Sequence, residues 1–144
     1  MNNETIELMS VLKNIKDESC LDEYLVDIYD KYKGLEFKTF FEDILKHKQI
    51  TKSELIKNAR IDRTYGYQIL NGSKKPSRDK VIKLCIGASL DIKETNKALR
   101  LADCGELYSK NLRDAVIIFG VNKGIGILKL NELLYDRGLA CLDD

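Results

Sequence analysis

Tryptophan is absent from this 144-residue chain, proline occurs once, at Pro76, and histidine once, at His47. Cysteine occurs four times, never as Cys-x-x-Cys. With one proline, almost nothing interrupts a 3.6-residue periodicity, so runs rich in Lys, Glu and Leu favour helix over sheet. Cys20, Cys85, Cys104 and Cys141 are scattered, and His47 has no cysteine within easy reach. No structural zinc site is expected, and the cysteines read as small buried apolar side chains in a reducing compartment. His47, inside the basic run Lys46-His47-Lys48, reads as solvated rather than catalytic. No Gly-rich phosphate loop with its lysine is present, and Gly124-Ile125-Gly126 reads as a helix break, so neither an enzyme nor a cofactor is expected. The longest uncharged apolar stretch, residues 115–121, is far short of the roughly 20 residues a membrane-spanning helix needs. The start, Met1-Asn2-Asn3-Glu4, shows no basic region followed by an apolar one. The expectation is a cytoplasmic protein.

Apolar residues make up 44% and charged residues 33%, which suits a globular chain rather than a disordered one. The length is sufficient to bury a core without disulfide or metal staples. The net charge of +1 hides an asymmetry: residues 1–36 carry 4 basic and 9 acidic side chains, residues 37–90 carry 12 and 5, and residues 91–144 carry 8 and 9. A basic middle between acidic flanks is the footprint of a module that approaches a polyanion by one face.

Residues 4–15 and 20–32 predict an acidic helical pair. The first has a stripe of Ile6, Met9, Leu12 and Ile15; the second has Leu21, Leu25, Ile28 and Tyr32, with Ser19 as N-cap. Gly34 is expected to end the pair. Phe37, Phe40, Phe41, Ile44 and Leu45 outline the next helix. Thr51 and Glu54 form a capping box that starts a short helix at Lys52, and Asp62 caps a second one over residues 63–71, stopped by Gly72. Two helices of this length with a tight turn between them form a helix-turn-helix unit. Ser77 and then Asp91 with Glu94 cap two further helices, giving five within residues 37–103. Helices are also expected over residues 112–122 and 127–137, within a C-terminal extension spanning 104–144.

Residues 39–90 resemble the DNA-binding domain of the phage-repressor (lambda-repressor-like) or XRE-type helix-turn-helix family. The resemblance is carried by Ile50-Thr51-Lys52-Ser53-Glu54-Leu55, by Ile61-Asp62-Arg63-Thr64-Tyr65-Gly66-Tyr67-Gln68-Ile69-Leu70-Asn71-Gly72 and by Lys75-Pro76-Ser77. Leu107-Tyr108, Arg113-Asp114-Ala115-Val116-Ile117-Ile118-Phe119 and Asn131-Glu132-Leu133-Leu134-Tyr135 look like an extension seen in some uncharacterised bacterial members. The resemblance implies an all-α transcriptional regulator of bacterial type that binds double-stranded DNA, with the second short helix in the major groove. Carried over by position, Arg63, Thr64, Tyr67 and Gln68 face the bases, Arg63 suiting guanine O6 and N7 and Gln68, near the same groove edge, suiting adenine N6 and N7. Lys52, Lys74, Lys75 and Ser77 face phosphate, with simple N-capping as the alternative for Ser77. Tyr65 either packs against the basic turn or stacks on a base. A homodimer is expected because one reading helix covers a half-site. Ile127, Leu128, Leu130, Leu133 and Leu134 are either its interface or interior.

Two positions depart from the family. Arg60 stands where glycine usually takes a left-handed conformation, and Gly66 where a large aliphatic residue usually pins the reading helix. Gly66 therefore predicts room, unless Tyr65, Tyr67 or Phe41 has swung in to fill it, and in that room alanine or leucine would give a gain in stability. Relaxed DNA reading would leave the alternative function, a protein-interaction or antitoxin-like adaptor and thus a regulatory protein partner.

Overall fold

The structure is a computed structural model and describes residues 3–142, apart from the side chains of Asp30 and Lys33. The described chain is all helical: α1 (Asn3–Lys13), α2 (Glu18–Ile28), a π-helical turn (Tyr29–Lys33), α3 (Gly34–Lys48), α4 (Lys52–Ala59), α5 (Arg63–Leu70), α6 (Arg78–Gly87), α7 (Ile92–Leu101), α8 (Leu112–Lys123) and α9 (Ile127–Asp136). The caps expected at Thr51, Asp62 and Asp91 form, but the Thr51–Glu54 capping box is only half made, because the Glu54 carboxylate meets the Thr51 hydroxyl at 3.3 Å instead of the Thr51 N–H. The Thr51 hydroxyl accepts the Glu54 N–H at 3.1 Å, an Asp62 carboxylate oxygen accepts the Tyr65 N–H at 3.0 Å, and Asp91 and Glu94 complete a reciprocal capping box. Each satisfies amides that the first turn of a helix leaves without a partner.

Three local expectations are corrected. Asp17, not Ser19, caps α2, accepting the Cys20 N–H at 2.8 Å. Among the cysteines only Cys85 is buried, where desolvation pushes its thiol up to about 12; Cys20 and Cys141 are exposed and Cys104 is half-buried. Gly34 does not end a helix. Its φ and ψ of −63° and −38° are helical, and its N–H donates to the Tyr29 carbonyl, five residues back, so the chain stays helical from α2 through the π turn into α3. The glycine is there for a close contact: a Cβ at Gly34 would lie 2.3 Å from the Gly72 carbonyl oxygen, and one at Gly72, which has a φ of +81°, 2.6 Å from the Gly34 carbonyl oxygen. The start of α3 is thereby pressed backbone to backbone against the end of α5.

One hydrophobic core serves α3 to α9. Phe37 and Phe41 of α3, Leu55 of α4, Ile69 and Leu70 of α5, Leu84 of α6 and Leu99 of α7 join Ile117, Leu130 and Leu134 of the C-terminal helices. Neither α1 nor α2 contributes a buried residue. Their apolar stripes are largely uncovered.

α8 is locked to α6 by reciprocal ion pairs. Arg78 binds Asp114 through both terminal nitrogens, at 2.9 and 2.8 Å, and Arg113 binds Asp79 in the same way, at 3.0 and 2.9 Å. The remaining guanidinium donors reach the carbonyls of Gly105, Glu106, Ala140 and Cys141. Such fork-to-fork pairs are the strongest ion-pair geometry available to side chains. The chain carries only two Arg-Asp dipeptides, 78–79 and 113–114. That repetition was the one signal in the sequence pointing to the lock.

Candidate nucleic-acid interface

α4 packs on α6 and α5 crosses to meet α3, which leaves the outer side of α5 facing solvent. Each residue turns the helix by 100°. Tyr65, Gly66, Ile69 and Leu70 thus point inward, and Arg63, Tyr67, Thr64 and Gln68 occupy an outward sector of roughly 140°. Arg63 and Thr64 are exposed; Tyr67 and Gln68 are half-buried at the base of the sector. The structure thus brings the four expected base-reading residues to one face. It separates Arg63 from Gln68, however, to opposite margins of that face, with Tyr67 and Thr64 between them. The Arg63 guanidinium carbon lies 5.7 Å from the Tyr67 ring centre, a cation–π distance that holds the arginine over the ring.

Lys52, at the first turn of α4, donates to Asn71 Oδ1 at 2.7 Å and so fastens the C-cap of α5. A cation there also meets the negative end of the α5 dipole. Two further ammonium protons are available for an anion. Asn71 was not anticipated, because its partner is set by how α4 and α5 cross. Lys74 and Lys75 are exposed in the turn after Gly72. Ser77 caps α6, its hydroxyl accepting the Lys80 N–H at 3.2 Å, while the residue stays at the surface. Tyr65, like Tyr67, is half-buried and packs against the core.

The two departures from the family pattern have different outcomes. Arg60 keeps the left-handed conformation, with a φ of 56°, and its carbonyl accepts from the Nζ of Lys83 at 3.1 Å. Lys83 is 2% exposed, so it supports the turn from inside. Arg60→Gly should relieve left-handed strain and raise stability by up to about 1 kcal/mol in urea denaturation. A lower midpoint would show that the arginine side chain contributes more than its backbone strain takes away. At Gly66 the expected room does not exist. An added Cβ would lie 2.8 Å from Ile56 Cγ1 and 2.9 Å from Ile56 Cγ2. Ile56, from α4, already fills that space.

The basic count of residues 37–90 overstates the charge at this face. Lys80 and Lys83 are buried and Arg78 is paired with Asp114. Arg60, Arg63, Lys74 and Lys75 stay exposed around α5. Among the described residues, no cluster of three or more His, Cys, Asp or Glu is placed to hold a metal ion, and no helix is long and apolar enough to cross a membrane. Compared with protein-family models, with curated proteins and with solved structures, the chain matches none of them.

Proposed function

We propose that the α4–α5 unit binds duplex DNA in a sequence-specific way and that the chain is a cytoplasmic transcriptional regulator of bacterial type, acting by binding rather than catalysis. The observation that carries this reading is the outward sector of α5, which gathers Arg63, Tyr67, Thr64 and Gln68, with Lys52 fastened to the C-cap of the helix and Lys74 and Lys75 exposed in the turn that follows it. In this reading Arg63 and Gln68 bond base edges at the two margins of the helix. Thr64 and Tyr67 contact bases between them, and Lys52, Lys74, Lys75 and the Ser77 hydroxyl hold phosphates.

Affinity for duplex DNA should fall steeply with salt, with a log-log slope of roughly −3 to −4 for about four phosphate contacts per protomer. Fluorescence anisotropy at several salt concentrations measures it, and a flat response would remove the DNA reading. Once a preferred site has been selected from random duplex, Arg63→Ala or Gln68→Ala should weaken that site by about 1–3 kcal/mol and leave non-specific binding nearly intact. Lys75→Ala should weaken all sequences alike.

A protein-interaction adaptor is the second reading, favoured by an open apolar groove of about 280 Å³ between α8 and α9, lined by Ala115, Val116, Phe119, Leu133 and Arg137. Of the C-terminal apolar set, Leu133 borders this groove and Leu128 is exposed, whereas Ile127, Leu130 and Leu134 belong to the protomer's own core. A flat salt response together with full stability would favour the adaptor.

A further inference from the structure

The N-terminal hairpin leaves its apolar side chains without cover. A lone helix of eleven residues is marginal in water, yet α1 and α2 have this length and neither has a buried residue. They lie antiparallel: the Tyr32 hydroxyl bonds the Glu4 carboxylate at the open end, and the chain turns at residues 14–17 at the other. Leu8, Ile15, Tyr24 and Ile28 are half-covered. Ile6, Met9 and Leu12 of α1 and Leu21 and Leu25 of α2 are 38% to 61% exposed. Leu12 and Leu21 share one shallow groove with Lys16 and Glu18, and Met9 and Leu12 share another with Lys13. Met9, Leu12 and Leu21 therefore form an apolar strip along one side of the hairpin, whereas Leu25 borders a separate groove with Ser73, Lys74 and Lys75. Lys13 and Lys16 edge it along α1. Glu18, and Asp22 one turn further on, edge it along α2. Of the other acids, Glu7, Glu23 and Asp27 fall on the far side at 100° per residue, Glu4 bonds Tyr32 and Asp17 lies in the turn beside the groove.

From this pattern we propose that α1 and α2 pair with α1 and α2 of a second copy of this chain, forming a four-helix bundle about a two-fold axis parallel to the helices. That axis lays α1 of one copy on α2 of the other, apolar strip on apolar strip. It sets Lys13 and Lys16 against the partner's Glu18 and Asp22, and the reverse contact follows by symmetry. A specific interface of this kind buries about 1,200 Å² or more in total. The pairing does not depend on DNA binding.

Sedimentation equilibrium of the full chain tests it. The wild type is expected to dimerise, and Leu12→Glu with Leu21→Glu to weaken the dimer by at least about tenfold in Kd with unchanged circular dichroism and melting of the protomer core, since both side chains are exposed. Lys13→Glu with Lys16→Glu, and separately Glu18→Lys with Asp22→Lys, should each weaken self-association, and mixing these two charge-reversed proteins should restore a heterodimer. A monomeric wild type, a dimer that survives Leu12→Glu with Leu21→Glu, a dimer dissociated instead by Leu128→Glu in the C-terminal helices, or charge-reversed proteins that stay apart on mixing would each overturn the proposal. Because the readout is mass, a dimer without DNA binding upholds the pairing and removes the DNA reading, and the converse separates them equally.

Discussion

Replacing Arg78 by alanine should lower the unfolding free energy by about 3–5 kcal/mol, because it leaves Asp114 as a buried carboxylate without its cation. Asp114 is 4% exposed and holds three groups at once: both terminal nitrogens of Arg78 and the Tyr108 N–H, at 2.8 to 2.9 Å. Burial alone would push its carboxyl up. The Arg78 hydrogen bonds, the Tyr108 amide and the nearby charge of Arg113 outweigh burial and hold it below its ordinary value. The sign of the pH effect follows from that direction. A carboxyl depressed in the folded state contributes stability that is present above the unfolded pKa and is lost as pH falls through the folded pKa. In Arg78→Ala the guanidinium no longer opposes burial, so the carboxyl should rise and its contribution should reverse, declining as pH rises from mildly acidic to neutral. Urea denaturation at those two conditions measures both effects. Asp114→Asn added to Arg78→Ala should recover part of the loss, since it removes the buried charge and keeps an acceptor for Tyr108. An Arg78→Ala protein within about 1 kcal/mol of wild type would show that water reaches the site and that the ion pair is of the weak surface kind.

Gly66→Leu should destabilise the protein by about 2–3 kcal/mol, and Gly66→Ala by less, the opposite of what the family pattern implies. The first added carbon already falls under 3 Å from two atoms of Ile56. Ile56 is a β-branched side chain inside α4, with few other rotamers to adopt, and is 3% exposed. The mechanism can be isolated by exchanging sizes across the contact. Ile56→Ala alone should lose about 2–5 kcal/mol through a cavity, and Ile56→Ala combined with Gly66→Leu should be more stable than the sum of the two single changes. Thermal unfolding of all four proteins gives the coupling. Additive losses would mean that the two positions do not compete for the same volume.

Those two sites mark where sequence reasoning stops. Caps at Thr51, Asp62, Ser77 and Asp91 were legible because each joins a side chain to an amide three residues on. Helical rotation likewise makes the outward sector of α5 legible, since four residues on one eight-residue helix need no partner to be placed. Gly34 was misread as a stop because its reason lies in Gly72, far along the chain, and a backbone contact leaves no trace in local pattern. Gly66 was misread for the same cause: a family profile records which position is usually large, whereas packing requires only that one of two facing residues be large. The basic count of residues 37–90 misled because composition does not distinguish a solvated lysine from Lys83, which is aimed inward at a carbonyl.

The π-helical turn at Tyr29–Lys33 has a consequence for how this chain could change over generations. It gives the continuous helix one residue more than regular α-geometry would use between α2 and α3. Deleting a single residue there would let the segment close into an ordinary α-helix. The π turn absorbs that residue, since its five residues cover nearly the rotation and rise of four α-helical ones, so the helix on either side would keep its phase. The apolar side of the hairpin would still face the same way relative to α4 and α5. Only a second codon lost from the same stretch, with no such slack left to absorb it, would turn the hairpin by about 100°.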